Sequence, residues 1–412
     1  MSWSPPPRAP WADKLVAVGR ALGDEGRSMV PLDPDSLLRA SAEATGLEDY
    51  GDDWFRLPLG LLCESLDGEA KLHLAGRVRA RCELQLLLQN RLRLVHLWIE
   101  RPEIAEQRVH APIVVTGLGR SGTTLLHELL ACDPANRAPL LWELVYTVPT
   151  PEAPGAQLPS DLIHAEVTLM DEMVPAFTSM HENGGALPTE CIFAFAHQFS
   201  TDMFTGLYNV PDYTIWHSTS DRRPEYEWHQ KMLQTLQWRT PTHRWVVKAP
   251  SHLSSLALLF DTYPDARVVI THRDPLRVMG SLADTMSTLH WMHSDHVDHE
   301  TMMQFLCMGL ELQMDSVTAE RDSGVLPSDQ ISDVNYLDLV KDPKNVVVKL
   351  YKGWDLPVTN EFSRGLDGYL RKRHEGRSSP HEYRFEETGL DLQEHRALLA
   401  RYQQRFGVAS EV

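Results

Sequence analysis

A glycine-rich turn in the first third of the chain has the residue types of an anion-binding site. Gly117, Gly119 and Gly122 allow a tight turn and a close approach of the backbone to a ligand. A β-branched run at residues 113–115 precedes the turn, and leucines at helical spacing follow it from Thr123 onward. The sequence therefore predicts a strand, a loop and a helix whose free N–H groups and dipole face an anion.

The turn differs from the loop of nucleotide triphosphatases at one decisive position. Its spacing from Gly117 to Thr124 nearly fits that motif, but Thr123 stands where the motif requires a lysine, and Arg120 is the cation inside the turn. An arginine with paired threonines suits a single phosphate that becomes a leaving group better than it suits ATP hydrolysis. A P-loop kinase or nucleotide triphosphatase that uses magnesium-ATP is the alternative, with Asp274 as its nearest magnesium ligand.

Two further cations follow short β-rich segments. Lys248 ends the segment 244–248, and Arg273 comes shortly after the segment 267–271. The carboxyl ends of parallel strands converge on one crevice. We therefore expect Lys248, Arg273 and Arg120 to surround one polyanion. His252, four residues after Lys248, should face the same crevice.

The elements that position these residues follow from the apolar pattern. A helical stretch at 253–263 lies between two of the predicted strands and makes a βαβ unit. The predicted fold class is therefore α/β, with a P-loop-like parallel sheet flanked by helices. We expect an N-terminal helical subdomain at residues 1–108 and the sheet domain at 109–412. The predicted strands are residues 113–115, 244–248 and 267–271.

The composition excludes several functional classes. The formal net charge of −18 repels polyanions, so we expect no nucleic-acid partner. Five cysteines without a C-x-x-C pair predict neither a disulfide framework nor a zinc site. The sequence shows no signal-peptide pattern and no transmembrane segment, so we expect a cytoplasmic protein. The sequence leaves the formation of a homo-oligomer open.

Residues 119–126 resemble the 5′-phosphosulfate loop of sulfotransferases. The form with arginine is similar to that of tyrosylprotein sulfotransferases and many bacterial members, whereas the cytosolic enzymes usually carry lysine at the position of Arg120. This resemblance implies a loop that binds the 5′-phosphosulfate of the sulfuryl donor. The implied ligands are Gly119, Arg120, Ser121, Gly122, Thr123 and Thr124.

Three later segments are similar to other donor-binding motifs of the same family. Arg273 and Ser281, eight residues on, resemble the motif that binds the 3′-phosphate. The segment that begins at Tyr336 resembles one whose tyrosine contacts the adenine end, and Arg377 lies in a basic loop like that of bacterial members. That loop lacks the Arg-Lys-Gly signature of the cytosolic enzymes, and leucines stand where those enzymes place a tryptophan on the adenine.

The resemblance implies an enzyme that uses 3′-phosphoadenosine 5′-phosphosulfate (PAPS) and releases 3′,5′-adenosine bisphosphate (PAP). The acceptor would be a hydroxyl or, less favourably, an amine. Methionines and tryptophans in the segments between the motifs favour an apolar small molecule or lipid. In this in-line displacement, charge develops on the bridging oxygen of the departing phosphate, where Arg120 and Lys248 would stabilise it without a metal. A nucleotide-binding protein without catalysis is a further alternative.

Three residues compete for the role of the base that deprotonates the acceptor. His252, in the segment after Lys248, needs the least adjustment of its pKa. Glu190 enters an apolar helix, where burial would raise its pKa, and it matches a glutamate of bacterial family members. Glu143 lies near the catalytic glutamate of tyrosylprotein sulfotransferases and ranks third.

Overall fold

A parallel five-stranded sheet flanked by helices forms the centre of the computed structural model, which describes residues 3–148, 159–179, 184–375, 385–388 and 390–412. The strand order is β2-β3-β1-β4-β5, and each neighbouring pair is parallel. This arrangement confirms the α/β prediction. The strands are β1 (Ile113–Gly117), β2 (Asn136–Arg137), β3 (Arg244–Lys248), β4 (Arg267–His272) and β5 (Ile331–Asn335).

The helices fall into groups that the strands separate. Before β1 lie α1 (Pro10–Leu22), α2 (Pro34–Thr45), α3 (Arg56–Gly68) and α4 (Leu74–Glu100). Between β1 and β3 lie α5 (Thr123–Ala131), α6 (Leu141–Val145), α7 (Pro159–Met173), α8 (Ile192–Phe195), α9 (Asp202–Leu207), α10 (Pro211–Thr219) and α11 (Arg223–Arg239). Then come α12 (Leu256–Thr262), α13 (Pro275–His293), α14 (His299–Asp322), α15 (Tyr336–Lys341), α16 (Pro343–Gly353), α17 (Asn360–Glu375) and α18 (Leu392–Phe406).

Strand β1 occupies the middle of the sheet, as its β-branched residues favour. All five of its residues are buried, and Ile113 pairs with Val246 on one side and Arg267 on the other. The three predicted strands are thus confirmed, whereas β2 and β5 were not predicted. At β5 only Ile331 and Val334 are buried, so the edge strand lacks a continuous apolar run.

The predicted helix at 253–263 is shorter than the pattern indicated. Residues Pro250–Ser254 form a 3-10 turn, and α12 begins only at Leu256. Pro250 starts that turn, since its fixed φ suits a first helical position. The turn places the segment after Lys248 against the core instead of extending it along the edge of the sheet.

The N-terminal helices share a core with later parts of the chain. Asp33 caps α2 by accepting the Ser36 N–H at 3.1 Å, and Gly46 ends this helix with a φ of 70°. The N-terminal helices share an apolar cluster with a later segment, residues 196–213. Leu62 and Leu88 pack there with aromatic residues of that segment, among them Phe199, Phe204 and Tyr213. The division at residue 108 therefore stays a prediction.

Among the described residues, no helix combines the length and the apolar character that crossing a membrane requires.

Buried neutral histidines make the fold sensitive to acid. His127, His229 and His293 are almost fully buried, and burial lowers the pKa of each to about 3. A histidine in an unfolded chain has a pKa of about 6.5. Below that pH the unfolded chain binds more protons than the folded one, so acid favours unfolding.

We expect the free energy of unfolding to fall as the pH is lowered through about 6.5, by up to about 1.4 kcal/mol per pH unit for each such histidine. Denaturant unfolding of the protein and of His229→Gln at several pH values measures this slope. The variant removes one titrating group, so its slope should be smaller, whatever constant destabilisation it adds. The exposed His96 supplies the control, because His96→Gln should leave the slope unchanged; equal slopes for all three proteins would contradict the prediction.

Candidate active site

The turn after β1 forms a tight loop over the neighbouring strand. Gly117 has a φ of 143°, and a Cβ added there would lie 2.5 Å from the carbonyl oxygen of Thr271. Gly122, with a φ of 90°, is the N-cap residue immediately before α5. Arg120 also has a positive φ, 64°, which is strained for a residue with a side chain. The loop therefore has a backbone conformation that suits a close approach to a ligand.

Ser121 holds this loop in shape instead of facing the crevice. Its hydroxyl is buried and hydrogen-bonds the carbonyl of Leu118 and the hydroxyl of Thr271, the latter at 2.6 Å. Its N–H donates to the Leu118 carbonyl at 3.2 Å. Thr123, the first residue of α5, is also buried, whereas Thr124 is exposed. Of the three hydroxyls in the motif, that of Thr124 is the accessible one.

The carboxyl end of β3 delivers Lys248 to the start of α5. Its ammonium group is buried, forms an ion pair with Glu190 and donates to the Thr124 hydroxyl at 3.3 Å. The N–H of Cys191 donates to the Lys248 carbonyl at 2.8 Å, so the backbone of the two segments is joined beside this pair. The Glu190 side chain keeps 20% of its surface exposed. The structure thus brings Lys248, Thr124 and Glu190 together.

Arg273 lies on the other side of the same loop. Its guanidinium donates to the Arg120 carbonyl at 2.9 Å and lies 3.9 Å from the ring centre of Tyr336. A Cβ added at Gly122 would lie 3.1 Å from the Tyr336 ring, so the tyrosine also packs on the loop. Burial and the neighbouring Arg273 lower the pKa of Arg120. Two guanidinium groups that repel each other favour a bound anion.

The guanidinium of Arg273 forms an ion pair with a carboxylate that the sequence did not predict. Glu411 accepts hydrogen bonds at 2.9 Å from both Nε and Nη2 of that arginine. The backbone N–H of Glu411 donates to Asp274 at 2.7 Å. The contact joins residues 138 positions apart, so no local sequence signal could have shown it.

Ser281 and Arg377 are the remaining predicted ligands of the donor. Ser281 lies half-buried in α13, six residues after Pro275, the first residue of that helix. Arg377 falls outside the described residues. Asp274, the magnesium ligand of the kinase alternative, is fully buried, caps α13 and pairs with Arg396 at 2.7 Å. Its carboxylate is thus engaged by protein groups.

We expected His252 to face the crevice, but the structure places its ring in the core. The ring is buried, with Nδ1 hydrogen-bonded to the Tyr226 hydroxyl at 2.7 Å and Phe195 packed edge-on against it. Among the described residues, its Nε2 has no hydrogen-bond partner. Burial, then the nearby His229 and Arg222, hold the pKa of His252 well below its ordinary value. Its position is that of a core histidine, because the 3-10 turn after Lys248 carries it inward.

Glu143 is also engaged by an ion pair and a hydrogen bond within the protein. It is buried in the first turn of α6, where its carboxylate forms an ion pair with Arg137 and accepts the Leu140 N–H at 3.0 Å. These contacts cap the helix and leave the carboxylate engaged. Of the three predicted bases, only Glu190 lies beside a predicted stabilising cation.

Known sulfotransferases are similar to this chain in sequence and in fold. The profile of the sulfotransferase family matches residues 112–360, which include the loop, Lys248, Arg273 and Tyr336. The omega-hydroxy-beta-dihydromenaquinone-9 sulfotransferase Stf3 of Mycobacterium bovis is 20% identical over 307 residues, 69% of this chain and 72% of the relative.

Two solved structures have the same fold. Sulfotransferase STF1 from Mycobacterium tuberculosis H37Rv superposes with a TM-score of 0.77 at 28% identity, covering 89% of this chain and 98% of the other. For sulfotransferase STF9 from Mycobacterium avium the TM-score is 0.81 at 24% identity, with coverages of 92% and 98%. The family match spans more than half of the 412 residues, and the chain therefore belongs to the sulfotransferase family.

Proposed function

We propose that this sulfotransferase moves a sulfuryl group from PAPS to a hydroxyl of an apolar small-molecule or lipid acceptor, with Glu190 as the base. The observation that carries the proposal is the cluster of Lys248, Thr124 and Glu190 at the start of α5. It puts a cation and a carboxylate together beside an anion-binding loop. That combination is what the departing phosphate and the incoming hydroxyl each need.

The two ends of the donor would be bound by different residues. Arg120 and the backbone N–H groups of the loop suit the 5′-phosphosulfate, together with Lys248. Arg273 suits the 3′-phosphate, since its guanidinium already holds a carboxylate in a bidentate ion pair. Tyr336 packs against both the loop and Arg273 and would lie next to the adenosine.

The reaction is a displacement at sulfur. The acceptor oxygen forms a bond to sulfur as the bond from sulfur to the bridging oxygen breaks, and the acceptor proton passes to the Glu190 carboxylate. Lys248 stabilises the charge that the phosphate gains. Glu190 is half-buried, so an acceptor can reach it. No step in this scheme requires a metal.

The nature of the acceptor is inferred from a relative. Stf3 is a sulfotransferase of an omega-hydroxylated dihydromenaquinone, which supports a hydroxyl over an amine and an apolar acceptor over a polar one. The cluster of Met173, Phe177 and Met292 is buried in the core, so it is not counted as an acceptor surface.

We expect PAP to bind without magnesium and more tightly than ADP or magnesium-ATP. Arg120→Ala and Arg273→Ala should each weaken PAP at least about tenfold, because each removes a charge-assisted hydrogen bond to a phosphate. Calorimetric titration measures these affinities. Tighter binding of magnesium-ATP would contradict the donor assignment and favour a kinase.

Glu411→Gln is the matched variant for the 3′-phosphate site. It removes the carboxylate that the phosphate must replace on Arg273, so PAP should bind about threefold more tightly. Adenosine 5′-phosphosulfate lacks the 3′-phosphate, and its affinity should not change. A gain for both ligands, or for neither, would argue against Arg273 as the 3′-phosphate ligand.

We expect Glu190→Gln to lower kcat about 10² to 10³-fold, because the variant keeps the shape of the side chain but cannot accept the proton. Its affinity for PAP should not weaken, which calorimetry checks. Turnover assays with labelled PAPS and a panel of hydroxylated apolar acceptors measure kcat.

Glu143→Gln and His252→Gln are the controls for the base. Both variants replace groups that are held by contacts within the protein, so we expect each to lower the free energy of unfolding. The kcat of the folded fraction should change less than about threefold. Thermal unfolding separates the two effects. A large loss of kcat in folded His252→Gln, with Glu190→Gln active, would reassign the base to the histidine.

A further inference from the structure

A cluster of a thiol, a carboxylate and an imidazole lies between α14 and α18, apart from the residues placed around the donor. Cys307 and Glu311 are one turn apart on α14, and His395 faces them from α18. Sγ of Cys307 lies 3.3 Å from Nδ1 of His395 and 3.5 Å from Oε1 of Glu311. Nδ1 and Oε1 are 2.6 Å apart.

These separations are close to those of three ligands on one tetrahedral zinc ion. Zinc bonds of about 2.3 Å to sulfur and about 2.0 to 2.1 Å to nitrogen or oxygen place sulfur about 3.5 Å from each other ligand. The two sulfur separations already match this geometry. Nitrogen and oxygen would have to move apart by about 0.7 Å to reach the zinc geometry, which small rotations of the partly buried Glu311 and His395 side chains allow.

The electrostatics of the cluster also favour a divalent cation. Oε1 of Glu311 lies against Sγ of Cys307, and the carboxylate of Glu394 also acts on that thiol. A bound cation would offset this negative charge and displace the thiol proton. The Glu311 and His395 side chains remain 20% and 16% exposed, so an ion has access from the surface.

We propose that Sγ of Cys307, Oε1 of Glu311 and Nδ1 of His395 bind a zinc ion, with water in the fourth position. The ligand set of thiolate, imidazole and carboxylate suits zinc. The site joins α14 to α18 across 84 residues of chain. Next to His395, Arg396 forms an ion pair with the buried Asp274, which precedes α13 and follows Arg273. Zinc would thus stabilise the C-terminal helix where it supports the donor side of the sheet, and this inference does not depend on the proposed reaction.

Cobalt is the probe for the test, because a thiolate ligand gives Co²⁺ an intense charge-transfer absorption that oxygen and nitrogen ligands do not. The full chain is stripped of metal with a chelator, freed of the chelator and titrated with Co²⁺. We expect one equivalent to produce that band together with the visible absorption of a tetrahedral site. Zn²⁺ should then abolish both by displacing the cobalt.

Cys307→Ser should lose the charge-transfer band and weaken binding about a hundredfold, and His395→Gln should weaken binding by about tenfold or more. Cys82→Ser, which alters an exposed cysteine, is the matched control and should keep the band. PAP binding and circular dichroism report whether each variant is folded; if Cys307→Ser is not, His395→Gln decides. Absence of the band in the unaltered protein, or its persistence in folded Cys307→Ser or at unchanged affinity in folded His395→Gln, would overturn the proposal.

Discussion

The close approach of β1 to β4 at Gly117 is the constraint on which the anion-binding loop depends. A side chain at this position would collide with Thr271, so the two strands can pair to their ends only with glycine here. Thr271 then bonds Ser121 and fixes the path of the loop. Arg273 follows two residues later on the same strand connection, and it donates to the carbonyl of Arg120. One backbone contact thus sets the path of the loop to which the Arg273 guanidinium binds.

The cations of this site are balanced by carboxylates of the protein. Lys248 is paired with Glu190, and Arg273 with Glu411. Removing such a cation from water without a partner would be costly. A bound dianion would replace these carboxylates on cations that are already desolvated and positioned, which reduces the reorganisation needed on binding. In the proposed reaction the same exchange at Lys248 would leave Glu190 free to receive the acceptor proton.

The sequence predicted the parts of this site that depend on local pattern. Three strands and the loop follow from β-branched runs and glycine spacing, and parallel pairing alone brings Lys248 and Arg273 to one edge. The edge strand β5 was missed because it has no continuous apolar run: Ile331 and Val334 are its two buried residues, and polar residues lie between them. Contacts made by distant segments could not be predicted either. Burial of His252 depends on Phe195 and Tyr226, and engagement of Arg273 depends on a residue 138 positions away.

The choice of base illustrates how tertiary burial can reverse an argument from intrinsic pKa. Histidine is the better base in water near neutral pH, but His252 is held neutral among aromatic rings with its pKa well below the ordinary value. A low pKa makes it a weak proton acceptor, and burial keeps the acceptor away from it. Glu190 has the weaker intrinsic basicity but is partly exposed beside Lys248. A base must first lie within reach of the proton it accepts, and only then does its pKa matter. We therefore propose the partly exposed carboxylate as the base rather than the buried histidine.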